Sequence, residues 1–239
     1  MINTIEDFKK AFLVIKQMGW IKTHRRGTTG VGKTLEDLLG IEENNLATAD
    51  FGVYELKAQR HDSSSMLTLF TKSPEPRGIN AVLRDTFGYV SNAYKNDRKV
   101  LHTTLYTGRP AGGANPGRFL QIGITDDRVK IMSNGIDTGA YWPIETIREK
   151  IAKKYQSQLV YVTALSRGKG CEEEFFFKSA IAVSNITFDS IMNLFRQDKI
   201  VIDIRIGQYP NGRNHDHGSG FRLKQLYFPE LFANQVRLV

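Results

Sequence analysis

The chain has 239 residues, 41% hydrophobic and 24% charged, a composition typical of a globular protein with a substantial core. Its net charge of +8 and pI near 9.5 favour a polyanionic partner such as nucleic acid. The alternative is that the protein is basic without having such a partner. One cysteine excludes a disulfide framework and a multi-cysteine zinc site, and no apolar run approaches the ~18 residues of a transmembrane helix, so we expect no membrane contact and a cytoplasmic location.

The predicted elements alternate between helices and strands. The first helix has Thr4 as its N-cap, Asp7 three residues later, and Gly19 at its end. Further helices are predicted at 33–40, 79–89, 144–155 and 188–195, and strands at 51–59, 65–72, 100–107, 119–125, 129–133, 159–165, 174–183 and 199–207. This mixture predicts an α/β or α+β fold with a mixed sheet. The glycine-rich stretch 108–118 is the candidate boundary, dividing the chain into 1–110 and 111–239.

Residues 27–34 read GTTGVGKT, which matches the G-x-x-x-x-G-K-[ST] pattern of a phosphate-cradling loop. Such a loop needs a buried apolar strand before it and a helix N-terminus after it, but the preceding residues are KTHRRG. Asp203 resembles the acidic strand end of such proteins, yet its strand continues through DIRIG. We therefore expect a glycine-rich turn that opens the helix of Glu36, and no nucleotide cofactor. A nucleotide hydrolase stays the alternative, which an ATP-binding titration tests.

The segment ADFGVYELKAQR at 49–60 contains a carboxylate–lysine pattern. On a strand Glu55 and Lys57 project from the same face, and a turn can bring Asp50 beside Glu55. Two carboxylates and a backbone carbonyl suit Mg²⁺, and a neighbouring lysine can hold and help deprotonate an attacking water. Glu36 is a candidate further metal ligand. The alternative is a solvated strand face with a Glu–Lys pair, but the basic chain favours phosphodiester hydrolysis.

Four blocks of the sequence resemble the MvaI/BcnI-type restriction endonucleases, a MutH-related branch of the PD-(D/E)xK nuclease superfamily. They are GWIKTHRRGTTGVGKTLEDLL, DFGVYELKAQ, LTLFTKSPEPRG and VIDIRIGQYPNGRNHDHGSGFRL. The blocks keep the family's order and lie toward the two ends of the chain, whereas the middle carries no such block. The likeness is greatest to the MvaI-like members.

The resemblance implies a PD-(D/E)xK core, with a mixed sheet flanked by helices and two lobes that form a DNA-binding cleft. Residues 1–110 would be the catalytic lobe and 111–239 the recognition lobe. Such enzymes cleave double-stranded DNA with Mg²⁺ and without ATP, and they bind short pseudosymmetric sites as monomers that cut the two strands successively. The residues that match the catalytic motif and its additional acidic residue are Asp50, Glu55, Lys57 and Glu36.

The C-terminal block has the composition of a base reader. In VIDIRIG, Asp203 and Arg205 share one strand face, and these residue types bind cytosine N4 and guanine O6 and N7 respectively. By resemblance His215, His217 and Arg222 would contact guanines in the major groove. The alternatives for the His-Asp-His segment are a metal site, for which no further Cys or His lies nearby in the sequence, and a solvated loop.

The segment LTLFTK, on a strand expected beside the catalytic one, places Thr71 and Lys72 as candidate minor-groove contacts at the central base pair. BcnI-like members, which cut within CCSGG, have a histidine where this chain has Thr71. The resemblance therefore favours CCWGG, the site of the MvaI-like members, or CCNGG. Arg77 and Arg84 are candidate phosphate contacts or surface residues that aid solubility.

Two other functions stay open. The first is a MutH-like nicking enzyme of mismatch repair, which would need an activating partner. The second is a catalytically silent DNA-binding protein, against which the intact acidic motif argues. A restriction enzyme also implies a cognate DNA methyltransferase that protects the host genome, without implying physical contact between the two.

Overall fold

The computed structural model describes residues 2–41, 50–61, 65–92, 98–112, 117–155 and 158–239. The α-helices are α1 (Ile5–Gln17), α2 (Gly30–Leu39), α3 (Ile79–Phe87), α4 (Ile144–Lys154) and α5 (Phe188–Arg196). The strands are β1 (Ile21–Lys22), β2 (Tyr54–Arg60), β3 (Met66–Lys72), β4 (Tyr89–Val90), β5 (Lys99–Leu105), β6 (Ala111–Gly112), β7 (Phe119–Ile124), β8 (Arg128–Ser133), β9 (Ile136–Pro143), β10 (Gln158–Arg167), β11 (Glu174–Ile186), β12 (Ile200–Gln208), β13 (Asn214–His215), β14 (Ser219–Lys224) and β15 (Phe232–Arg237). Short 3-10 helices lie at Gly170–Glu172 and Gln225–Leu231. None of the helices in these ranges is long and apolar enough to cross a membrane.

The chain forms two compact units, each assembled from segments that are distant in sequence. Unit 1 consists of Met1–Ser65, Tyr155–Thr187 and Gln225–Val239, and unit 2 of Met66–Lys154 and Phe188–Lys224. The expected boundary between residues 110 and 111 falls inside unit 2, because β5 before that point is hydrogen-bonded along its length to β12 after it.

Unit 1 contains a mixed sheet in the order β1-β11-β10-β2, with β15 added on β11. The pairing of β2 with β10 is parallel, and the other pairings are antiparallel, which confirms the predicted mixed α+β class. Helix α1 begins with the predicted capping box, in which the Thr4 side chain accepts from the Asp7 backbone N–H. The apolar sides of α1 and α2 belong to one core with the sheet, so α2 packs next to the strand that carries the acidic motif.

Unit 2 contains an antiparallel sheet in the order β3-β14-β12-β5-β4, with β13 paired to β12, and a separate meander β6-β7-β8-β9. On β12 the side chains of Ile202, Ile204 and Ile206 are fully buried, so the other face of this strand must carry its polar residues. The prediction that the strand of 65–72 lies beside the catalytic strand is wrong. Strand β3 pairs with β14, a partner more than 140 residues away in sequence, and β2 pairs with β10.

Candidate active site and nucleic-acid interface

A tight turn holds Asp50 against strand β2. The Asp50 N–H donates to Tyr54 O and the Tyr54 N–H to Phe51 O, both at 2.9 Å. Gly52 has φ 53°, and a Cβ there would lie 2.8 Å from Asn3 O, so a side chain at this position would be strained. The turn returns the carboxylate to the strand, where Asp50 Oδ2 accepts from the Leu56 N–H at 2.6 Å. Asp50 is therefore fixed beside the segment that carries the other candidate catalytic residues.

Glu55 and Lys57 flank that same backbone N–H and share one face of β2. Lys57 Nζ donates to Glu55 Oε1, and both side chains remain about a third exposed, at 36% and 37%. One oxygen of each carboxylate is thus held by the protein, and among the described residues no hydrogen bond is made to the other oxygen of Asp50 or of Glu55. Hard oxygen donors in this small number suit a cation such as Mg²⁺, which keeps several of its waters.

Glu36 is half-buried on α2, which packs in the core that also contains Leu56. Across the part of the chain that the structure describes, no group of three or more His, Cys, Asp or Glu side chains is arranged to hold a metal ion. The structure therefore brings Asp50, Glu55 and Lys57 together around one strand segment, but it does not add Glu36 to them as a third ligand.

Tyr155 is a neighbour of this site that the sequence reasoning missed. Burial, and secondly the negative charge of Glu55, raise the pKa of Tyr155 to about 12, so its hydroxyl keeps its proton near neutral pH. Its ring packs edge-on against Phe228, with the ring centroids 5.8 Å apart. Because Tyr155 follows the end of α4, 100 residues beyond Glu55, no local pattern in the sequence could have found it.

The glycine-rich segment differs from a phosphate cradle. Helix α2 begins at Gly30, inside the motif, where a Cβ would lie 2.3 Å from Arg25 O. Thr34 Oγ1 donates to Gly30 O at 2.8 Å and accepts from the His24 N–H at 3.0 Å. Lys33 Nζ pairs with Asp37 at 2.8 Å. The lysine and threonine that would bind phosphates in a nucleotide loop are engaged in intramolecular contacts, and the glycine permits a close backbone approach.

In unit 2 the polar face of β12 gathers Asp203, Arg205 and Arg222. Asp203 is only 2% exposed, accepts from Thr104 Oγ1 at 3.1 Å and pairs with Arg205 Nη2 at 2.9 Å. Its Oδ2 lies 3.2 Å from Arg222 Nη1, but this contact lacks hydrogen-bond geometry, so Asp203 Oδ2 and Arg222 Nε have no hydrogen-bond partner among the described residues. Buried polar atoms normally have partners, so these two atoms are unusual for the interior of a protein.

His102 is a second residue that the sequence reasoning missed. It lies directly opposite Arg205 in the pairing of β5 with β12, so its side chain belongs to the same polar face. Burial, and then the positive charge of Arg205, lower the pKa of His102, while Asp203 opposes the shift. Only the strand pairing reveals this neighbour, since β5 and β12 are far apart in sequence.

The segment 214–218 brings His215 and His217 together. Their Nε2 atoms lie 2.9 Å apart, and the His215 ring also contacts Tyr209, with centroids 4.6 Å apart. Between the two histidines, Asp216 Oδ1 accepts from the Gly218 N–H at 2.9 Å. Among the described residues, no third His, Cys, Asp or Glu side chain joins the two histidines to hold a metal ion.

Thr71 and Lys72 end strand β3 beside β14, where they pair with Gly220 and Ser219. Thr71 is exposed, and the Lys72 carbonyl accepts from Trp142 Nε1 at 2.9 Å. All seven candidate DNA contacts thus lie in unit 2, and the four candidate catalytic residues lie in unit 1.

Arg84 does not lie where a phosphate contact or a solubilising surface residue, its two predicted roles, would have to lie. It is 4% exposed, pairs with Asp85 at 2.8 Å and donates to Asn214 Oδ1. A guanidinium committed to these partners is neither a free phosphate contact nor a solubilising surface charge. Arg77, in contrast, is exposed and keeps its predicted alternatives.

The sequence model of the MvaI/BcnI restriction endonuclease family matches residues 9–232. Two solved structures are similar over 100% of this chain and at 30% sequence identity. One is restriction endonuclease MvaI in a cognate DNA substrate complex (TM-score 0.66, 100% of that chain covered), and the other is MvaI in the absence of DNA (TM-score 0.69, 99% covered). No curated protein sequence matches.

These matches define the class of the protein as a site-specific restriction endonuclease with a PD-(D/E)xK-type fold. The chain belongs to the MvaI/BcnI restriction endonuclease family.

Proposed function

We propose that this restriction endonuclease hydrolyses DNA phosphodiester bonds with Mg²⁺ within a short pseudosymmetric site, through Asp50, Glu55 and Lys57. The observation that carries this proposal is the hydrogen bond from the Leu56 N–H to Asp50 Oδ2, because it fixes one carboxylate beside a strand segment that presents the other carboxylate and the lysine. Glu36, on the helix packed next to that strand, is proposed as an auxiliary acidic residue that acts through water or a second metal.

The residues of unit 1 divide the chemistry among them. Mg²⁺, when held by Asp50 and Glu55, supplies a Lewis acid that stabilises the negative charge on the reacting phosphate. Lys57 would hold the attacking water and stabilise the hydroxide that forms as this water gives its proton to solvent. The water oxygen bonds to phosphorus, the bond to the leaving sugar oxygen breaks, and that oxygen takes up a proton from solvent. Glu55 would orient Lys57 through the ion pair.

In unit 2 the polar face of β12 is proposed to read the bases. Arg205 and Arg222 would donate to guanine O6 and N7, and Asp203, which forms ion pairs with both arginines, would accept from cytosine N4. His215 and His217 would add contacts to guanines in the major groove. Residues of these types suit a site rich in G·C pairs.

Thr71 and Lys72 are proposed to contact the minor groove at the central pair, where only A·T and G·C are readily distinguished. We propose the site CCWGG, or CCNGG if this contact does not discriminate. The enzyme would act as a monomer that cuts the two strands in turn, with a cognate methyltransferase protecting the host DNA. The solved complex of MvaI with its cognate DNA substrate supports a double-stranded DNA partner.

The test is digestion of unmethylated plasmid with Mg²⁺ and no nucleotide, with EDTA as control, followed by sequencing of the product ends. Discrete fragments that end within one G·C-rich pentanucleotide are the expected result, and their ends give the central base pair. Accumulation of nicked circles alone would favour a MutH-like nicking enzyme. Plasmid that is bound in a gel shift but left intact would favour a catalytically silent DNA-binding protein.

A further inference from the structure

Helix α3 presents two buried polar side chains, Asn80 and Arg84, one helical turn apart. Asn80 is 8% exposed and Arg84 is 4% exposed. Both contact the segment 214–218: Arg84 Nη1 donates to Asn214 Oδ1, and Asn80 Nδ2 donates to Asp216 Oδ2. Two residues spaced four apart on a helix face the same side, so α3 holds this segment at two points.

The same segment is also tied to the end of β3. Ser73 Oγ donates to Asp216 Oδ2 at 2.8 Å, and Ser73 directly follows Lys72, a candidate minor-groove contact. Since the Gly218 N–H donates to the other oxygen of Asp216, this one carboxylate accepts from three donors on three segments. We call Ser73, Asn80, Arg84 and Asp216 the loop clamp.

The loop clamp is a costly way to stabilise a fold. A buried guanidinium and a buried amide lose their hydration, and replacing such groups by apolar side chains of similar volume is often neutral or stabilising. Asn80 gains only part of its hydrogen bonding in return, because its Oδ1 has no hydrogen-bond partner among the described residues. The clamp therefore calls for a function beyond stability.

The segment itself shows which function the clamp serves. Asn214 and Asp216 are bound by α3, whereas His215 and His217 alternate with them in sequence and contact each other through Nε2. Asn214 and Asp216 are the sequence neighbours of the two histidines, so the backbone that carries the histidines cannot turn without breaking the contacts to α3. Fixing Asn214 and Asp216 thus fixes the direction in which the two histidines point.

We propose that the loop clamp consists of positioning residues that aim His215 and His217 at the bases and so set the enzyme's discrimination between its site and sites altered at one G·C pair. This inference rests on the proposed base-reading role of unit 2. Asp216 is the central member, because its carboxylate also links the histidine segment to the segment of Thr71 and Lys72.

The test measures the ratio of kcat/KM on the cognate duplex to kcat/KM on duplexes altered at one outer G·C pair. Asp216→Ala removes three accepted hydrogen bonds and is expected to lower this ratio roughly tenfold, since one good base contact discriminates by about 5- to 150-fold. Asn80→Asp places a second carboxylate against Asp216, and the repulsion between the two is expected to lower the ratio of kcat/KM values as well. The double variant Asn80→Asp with Asp216→Asn restores an amide–carboxylate pair in reverse and is expected to regain most of the ratio.

Asp198→Asn is the matched control in the same unit. Asp198 Oδ1 accepts from the Thr107 and Gly108 N–H groups at 2.6 and 2.8 Å. The change therefore weakens a carboxylate contact that does not involve the histidine segment. Thermal unfolding of every variant shows whether it folds. The inference is wrong if Asp216→Ala keeps the ratio of the unmodified enzyme, or if Asp198→Asn lowers it equally at matched stability. Should the unmodified chain show no site preference, the proposed function fails first and this inference falls with it.

Discussion

The two units carry their charged groups in opposite ways. In unit 1 Glu55 and Lys57 pair across one strand face and both stay about a third exposed, at 37% and 36%. In unit 2 Asp203 is 2% exposed and is surrounded by a threonine and two arginines. The proposed chemistry needs a metal, a water and a phosphate to reach the first site and exchange during each turnover, whereas the proposed base reader would gain discrimination from groups that are held rigidly.

The difference also concerns how far apart in sequence the members of each site lie. The turn at Asp50 and the strand through Lys57 form a site within eight consecutive residues, 50–57, so a single local segment carries it. The polar face of unit 2 is assembled from β5, β12 and β14, and its geometry depends on their pairing. We therefore expect changes in unit 1 to act on the rate of cleavage and changes in unit 2 to act on the choice of site.

The largest effect is expected from Glu55→Ala and Lys57→Ala. Each removes one member of the pair that is proposed to hold the metal and the attacking water, so kcat should fall by roughly 10²–10⁴-fold. Affinity for the cognate duplex, measured by gel shift with EDTA, should change little because unit 2 is intact. Lys9→Ala is the control, since Lys9 pairs with Glu6 on α1 in the same unit. Normal cleavage by both active-site variants would contradict the proposed site.

The next effect is expected from Asp203→Ala, which removes the carboxylate that forms ion pairs with both Arg205 and Arg222. The ratio of specific to non-specific DNA affinity should fall roughly 10²-fold, because a cytosine contact is lost and both arginines lose their anchor. The free energy of unfolding should fall by about 1–2 kcal/mol, a modest loss because the half-exposed arginines can rehydrate. The measurements are gel shifts at fixed salt and urea unfolding.

Asp137→Ala is the control for that variant. It removes a carboxylate of unit 2 that is about half exposed and pairs with Lys130 at 3.0 Å. A surface pair of this kind contributes little to stability. An equal loss of specific affinity in both variants would mean that the polar face of β12 does not read bases.

The geometry of the proposed catalytic segment can be anticipated from the sequence because it is local. A turn residue, a strand with apolar residues on one face, and Glu55 and Lys57 two positions apart are all visible within one short stretch. Asp203 and Arg205 are visible for the same reason, since they alternate along a single apolar strand. The 3.6-residue period of helices and the 2-residue period of strands are enough to predict such features.

Features that depend on long-range pairing could not be predicted in this way. His102 reaches the polar face only because β5 pairs with β12, and Tyr155 reaches Glu55 only through the fold of unit 1. Arg84 looked like a surface cation, because a sequence does not show that Asn214 and Asp85 accept from it in a buried place. Residue type alone does not reveal burial of this kind.

A smaller effect is expected from Gly52→Ala, compared with Gly207→Ala. Gly52 has φ 53° and no space for a Cβ, so alanine should destabilise unit 1 by about 1–3 kcal/mol and move Asp50 away from β2. At Gly207 a Cβ would meet His215 at an ordinary 3.6 Å, so alanine should change stability by less than about 1 kcal/mol. Urea unfolding and cleavage rates are measured for both. Equal tolerance of the two changes would show that the turn at Asp50 does not constrain the catalytic segment.

The smallest effect is a pH dependence of stability that arises from His102. Its pKa in the folded protein lies below the ordinary value of 6.5, because burial and the charge of Arg205 disfavour the imidazolium. Between the folded pKa and 6.5 the unfolded chain therefore binds more protons, so the free energy of unfolding falls as the pH falls through this window and is independent of His102 well above it.

His102→Gln removes this titration and keeps a polar side chain of similar size. The free energy of unfolding of the unmodified enzyme minus that of His102→Gln should be constant above about pH 7.5 and should decrease as the pH falls toward about 5. Urea unfolding at a series of pH values and constant ionic strength gives this difference. If the difference grew on acidification, the attraction of Asp203 for the imidazolium would outweigh burial and Arg205, and the protonated form of His102 would be the one that faces DNA at low pH.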